Sequence, residues 1–257
     1  MPFIRPHLAA SIFFRFIALG AWVGLMPFAV AADPVAALGD PGAPLAGKVA
    51  GIPAYASTGD ELRDIAMREL MDRYAREKNV TVSRQEITEY QAFMKKIAEQ
   101  DRTEKAAYRD KLMAKLSGSG LDAAEREKTE AELAAVEQLL AATAPKESVS
   151  DEDRAAMDEI AQAVILQWEV NRLLHQEFGG RIIRQQMGPE PLDAYRRFLE
   201  NAQKQGNLTI TEKSIKRQFW QYFRDDTRHD FYPAGSPEEA QAFSTPPWAE
   251  KKPAKPE

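Results

Sequence analysis

The chain has 257 residues, a formal net charge of −5 and no cysteine. The absence of cysteine excludes disulfides, thiolate metal sites and cysteine nucleophiles. The acidic balance argues against a general nucleic-acid binder, whose affinity rests on Lys and Arg neutralising phosphates, and against a polybasic membrane-surface protein.

Residues 1–31 read as a secretory signal. Arg5 and Arg15 precede or open an apolar stretch, Phe16 to Val30, that Pro27 breaks near its end. Ala29-Val30-Ala31 supplies the small-x-small pattern of a cleavage site, so cleavage is expected before Ala32. The uninterrupted apolar run is shorter than the ~20 residues a spanning helix needs. Removal of the two arginines and no acid takes the charge from −5 to −7. The expectation is an exported, periplasmic protein with no stable membrane insertion after cleavage.

Residues 32–59 are rich in Ala, Pro and Gly and read as a flexible linker. The folded domain is expected over 60–232, followed by a disordered Pro-rich tail over 233–257. Within the domain nearly every segment has helical periodicity, so the fold class is all-α. Leu62, Ala66, Leu70 and Tyr74 recur at i, i+4 spacing. Ser83 and Glu86 form a capping-box pattern that opens a second helix, with Ile87, Tyr90, Met94 and Ile97 on its apolar face. That helix extends towards Leu116 before Gly118-Ser119-Gly120. Asp122 with Glu125 starts another, and the two suggest a protruding, solvated helical hairpin.

Ser150 with Asp153 opens a third strong helix, with Met157, Ile160, Ala161, Val164, Trp168 and Leu174 as its buried stripe. Gly179-Gly180 closes it. Gly188-Pro189-Glu190-Pro191 is a turn, and Leu192, Tyr195, Phe198 and Leu199 face inward on the next helix. Ile215, Phe219, Tyr222 and Phe223 mark the last one. Isolated β-bridges are allowed for at Ile182-Ile183 and Leu208–Ile210.

The segment from Ile65 to Ile97 resembles the helical N-terminal domain of SurA-type periplasmic chaperones, related in shape to the trigger-factor peptide-binding region. The shared pattern is an apolar helix, a polar turn, then Val80, Val82, Ser83, Glu86 and Ile87. Phe178 to Glu200 also looks like exported SurA-like proteins. The resemblance implies ATP-independent binding of unfolded or extended polypeptides in an apolar cradle, with roles in protein folding and outer-membrane biogenesis. Many relatives carry a parvulin prolyl-isomerase domain. Here no strand-rich stretch follows and only His175 and His229 lie beyond the signal, so no isomerase activity is expected. The alternatives are an envelope scaffold with one fixed partner, and an isomerase relative that lacks catalysis.

The candidate client-binding residues are Phe219, Trp220, Tyr222, Phe223, Trp168, Tyr195, Gln185 and Gln186. Core packing is the competing reading for most of the aromatics. Phe219 to Phe223 spans more than one narrow stripe, however, so at least one ring is expected in solvent, where it would hold apolar client segments. Gln185 and Gln186, beside Arg181 and three glycines, either satisfy an irregular turn or pair with client backbone. Met67, Met71, Met94 and Met113 offer adaptable surface or core filling. Asp225, Asp226, His229 and Asp230 read as a solvated charged terminus rather than a metal or acid/base cluster. No catalytic residue, metal ligand or cofactor is assigned, and no Gly-rich phosphate loop is visible.

Overall fold

The computed structural model describes residues 37–145, 149–185 and 188–249. The signal-like segment lies outside them, as do Gln186 and the end of the tail. The elements follow in the order β1 (Leu38–Gly39), β2 (Leu45–Val49), β3 (Ile52–Tyr55), α1 (Gly59–Glu77), α2 (Arg84–Ser117), α3 (Ala123–Ala142), α4 (Asp151–Phe178), β4 (Ile183–Gln185), β5 (Gly188–Glu190), α5 (Leu192–Lys204), β6 (Leu208–Ile210), α6 (Lys213–Gln221), a 3-10 turn (Asp226–Arg228) and α7 (Pro237–Gln241). The chain is mostly helical, as its periodicity predicts. It divides into two compact units: Met1–Tyr74 with Arg172–Ala242, and Ala75–Asn171 with Phe243–Glu257.

The first unit adds a few short strands to this mostly helical chain. A four-stranded sheet, in the order β1-β3-β2-β6, occupies much of the segment expected as a flexible linker. β1 runs parallel to β3, and β2 is antiparallel to both β3 and β6. The hairpin between Val49 and Ile52 turns on Ala50 (φ 56°) and Gly51 (φ 84°). Two successive positive φ values are the geometry that matches the twist of antiparallel strands. The strands are two to five residues long, too short to display an alternating pattern. β2 also pairs along its other edge with β6, about 160 positions further along, where Lys48 faces Thr209. Ala46, Val49 and Ala54 are fully buried by this pairing.

Gly47 is required where β2 meets β6, because a Cβ there would lie 1.9 Å from the Thr209 carbonyl oxygen. α1 approaches α6 as closely at Gly59, whose amide donates to Gln218 Oε1 at 2.9 Å. A Cβ on Gly59 would meet the Phe219 amide nitrogen at 2.3 Å. Leu62 of α1, Leu192 and Leu199 of α5, Leu208 of β6 and Phe219 of α6 are all fully buried. In this unit the Tyr74 hydroxyl donates to Glu177 at 2.9 Å. Burial, then that bond and the Glu177 charge, push the Tyr74 pKa well above its ordinary value.

The second unit is helical. Ser83 and Asp122 both form complete capping boxes, with Glu86 and Glu125 as reciprocal partners. α2 runs unbroken for 34 residues through the polar stretch at Asp101–Lys105, where Lys105 pairs with Asp101 one turn back. α2 and α3 lie antiparallel. Arg102 donates to the Leu140 carbonyl at 3.0 Å, Tyr108 to Glu132 at 3.1 Å and Arg126 to the Leu116 carbonyl at 3.2 Å. Leu112, Val136 and Leu140 form the core of this hairpin, with Tyr108 and Leu133 against it.

The expected disordered tail is also corrected. Ser236 caps α7, and Phe243 and Trp248 are buried. The Trp248 ring lies 5.3 Å from Tyr90 and 5.7 Å from Trp168, both edge-on. Proline marks segments that cannot continue a helix, but it does not prevent rings between the prolines from packing into a core.

Candidate polypeptide-binding surface

The aromatic residues nominated from the sequence are structural. Phe219, Trp220, Phe223, Trp168 and Tyr195 are all 6% exposed or less. Phe219 and Phe223 are one helical turn apart, with ring centroids at 6.4 Å, and Trp220 lies 5.0 Å from Phe219. Tyr222 is half-buried, with the Arg63 guanidinium 4.1 Å above its ring and Arg228 at 5.8 Å. Of the rings expected in solvent within Phe219 to Phe223, three are buried and Tyr222 keeps partial exposure beneath two arginines. The width of the aromatic stripe reflects burial against more than one neighbour.

Gln185 is exposed, at the last pair of the β4–β5 ladder, opposite Gly188. The polar residues around it close on one another. Gly179 (φ 62°) and Gly180 (φ 100°) turn the chain out of α4, and a Cβ on Gly180 would lie 2.4 Å from the Asp193 Cβ. Arg181 then reaches Asp193 and Asp226 and stacks its guanidinium 4.4 Å from the Phe231 ring centroid. Arg184 donates to the Phe231 carbonyl at 2.9 Å and lies over Tyr232.

The charges of this network are tuned by burial and pairing. Burial disfavours ionised Asp193, but hydrogen bonds from the Arg181 side chain and amide, with the Arg181 and Arg196 charges, outweigh it. Its pKa falls below the usual carboxylate value. The same bonds, to Asp193 first and then Asp226, raise the Arg181 pKa. Glu190 is pushed upward by burial, against the charge of Arg63.

The Asp225–Asp230 segment is consumed the same way. Asp225 accepts from the Thr227 amide and hydroxyl, Asp226 from Arg181, and Asp230 from Arg184. His229 Nε2 sits 2.7 Å from the Tyr222 carbonyl. Among the described residues no group of three or more His, Cys, Asp or Glu is placed to hold a metal ion.

Among the described residues most large apolar side chains that reach solvent lie in the second unit, with Leu45, at 48%, in the first. Met94 and Ile97 on α2 are 38% and 36% exposed, and Met157 and Ile160 on α4 are 49% and 44% exposed. The two helices meet at Asp158, which accepts hydrogen bonds from Arg84 and, at 2.7 Å, from Gln91. Met94 and Ile97 follow Gln91 along α2, and Met157 and Ile160 lie on the same helix as Asp158. Periodicity placed all four in buried stripes. The stripes outrun the elements that cover them: Ile87 and Tyr90 on α2, and Ala161, Ile165 and Trp168 on α4, are buried, and the next turns are not. Met113, at 51%, adds a further exposed thioether, whereas Met71 is core. The signal available beforehand was the presence of methionine at three of these positions, a flexible side chain that suits adaptable surfaces.

No family model, curated protein or solved structure matches the chain. Among the described residues no helix is long and apolar enough to cross a membrane.

Proposed function

We propose that the chain binds non-native or extended polypeptides without ATP, as an exported, periplasmic protein of the SurA type that carries no catalytic centre. The observation that supports this reading is the exposed set Met94, Ile97, Met157 and Ile160 on α2 and α4. Half-exposed methionine and isoleucine on these two helices give compliant apolar surface, which gains by burying client side chains at roughly 25 cal/mol per Å². Flexible thioethers let such a surface accept many sequences. The SurA-like pattern around Val80, Val82, Ser83 and Glu86 supports the same class, with Ser83 forming the complete capping box that pattern predicts.

The test is suppression of aggregation of a reduced, unfolded client by stoichiometric protein. The wild type should slow light scattering, and the Met94→Gln, Ile97→Gln, Met157→Gln, Ile160→Gln variant should not. Unchanged aggregation with wild-type protein would end the reading. Capture of one stoichiometric partner, with no effect on unrelated clients, would replace it with the fixed-partner scaffold.

A further inference from the structure

We infer that the cleft between α5 and α6, in the first unit, is a binding site for a small ligand bearing two or more phosphate groups. The cleft has a volume of about 510 Å³, and its lining includes Lys213, Lys216, Arg217 and Arg224 with Glu200 as the one carboxylate. Its apolar wall is Trp220. Lys213, Lys216, Arg217, Trp220 and Arg224 recur at helical spacing, so the helix and its extension present them on one side. The volume falls within the range of sites for small molecules.

Three observations favour a ligand over a merely solvated face. First, the side chains of the four cations form no ion pair or hydrogen bond among the described residues. Arg63, Arg84, Arg181 and Arg184 are by contrast each committed to a carboxylate. Second, the arrangement costs stability. Lys213 occupies the first turn of α6, where the helix dipole repels a cation, next to Glu212 at the N-cap, which accepts from Ser214. Lys213 also lies three and four positions before Lys216 and Arg217, the spacing at which like charges repel. Third, the cluster sits in a chain of net charge −5, so it is not part of a general basic surface.

The charge of the cleft sets the ligand class. Four cations against Glu200 leave an excess of three positive charges in one small volume. A phosphate monoester carries roughly −1.5 to −2 near pH 7, so two of them match that excess, and two phosphodiesters, at about −1 each, offset most of it. Arg217 and Arg224 offer planar forks for phosphate oxygens, and the lysines supply point charges. Trp220 is 4% exposed, so one wall is dry and strengthens the field in the cleft.

Inorganic pyrophosphate and vesicles of phosphatidylcholine with cardiolipin test the site on the full chain. Calorimetric titration with pyrophosphate at low salt should give saturable binding. The Lys213→Gln, Lys216→Gln, Arg217→Gln variant should weaken it by about tenfold or more while keeping the wild-type circular dichroism. Cosedimentation with cardiolipin vesicles, lost in the same variant, would assign the phosphates to a lipid headgroup. Pyrophosphate binding without cosedimentation would assign them to a free ligand. Three results would overturn the inference: no saturable binding, equal binding by the variant, or an equal response to sulfate at matched ionic strength. If the triple variant misfolds, Arg224→Gln, beyond the end of α6, serves in its place.

Discussion

Arg181 and Asp193 are joined by three hydrogen bonds. The Arg181 amide donates to Oδ2 at 3.0 Å, Nε donates to the same oxygen at 2.9 Å, and Nη2 donates to Oδ1 at 3.2 Å. One residue thus uses both backbone and side chain to hold the start of α5 against the chain leaving α4. Gly180 is what permits the approach.

Asp193→Asn should therefore destabilise the protein by about 2 kcal/mol at neutral pH, a moderate figure because the guanidinium partner reaches solvent. The folded pKa of Asp193 lies below its unfolded value. Its contribution is present above the ordinary aspartate pKa and is lost as pH falls through the folded value. Urea titrations from pH 7 down to pH 3 should show a shallower acid decline in the variant than in wild type. Identical slopes would show that the network does not couple to folding.

The β2–β3 turn holds Ala50 at φ 56°, a conformation that costs an alanine roughly 1 kcal/mol. Ala50→Asn, which creates Asn-Gly at the two positive-φ positions, should raise stability by about 0.5–1 kcal/mol. The readout is a higher thermal midpoint. A lower one would mean that the asparagine side chain displaces a neighbour.

Trp248→Ala removes the ring that touches Tyr90 and Trp168. The expected loss is about 3 kcal/mol, with a change in the emission of Trp168. A truly unstructured tail would make the substitution silent in both measurements.

At Met157 and Ile160 the opposite is expected. Because both are about half exposed, Met157→Gln and Ile160→Gln should move stability by no more than about 0.5 kcal/mol. Denaturant midpoints within that margin, together with loss of client holding, would separate binding from folding.

Local chemistry made much of the helical framework legible. The start of α2 follows from Ser83 and Glu86 and that of α3 from Asp122 and Glu125, because a capping box is written in four consecutive residues. The bends after α4 follow from Gly179 and Gly180. The sheet was not legible. Leu45–Val49 is stabilised by Thr209 and its neighbours, and no window around residue 47 contains them. Exposure was not legible for a related reason. Helical spacing shows which side chains share a face, whereas exposure depends on how far the covering elements reach. Phe219 and Phe223 are consequently core, and Met157 and Ile160 are surface.

By itself, then, the sequence determined the helical periodicity, the caps, the acidic charge and the absence of cysteine chemistry, all set by residues near one another or by simple composition. Only the tertiary structure decided three other matters: that Leu38–Tyr55 becomes sheet, that Phe243 and Trp248 close a core, and that Lys213, Lys216, Arg217 and Arg224 line one cleft with Glu200 and Trp220. These depend on partners brought together across the chain, whose burial and charge balance come into being only when the fold assembles them.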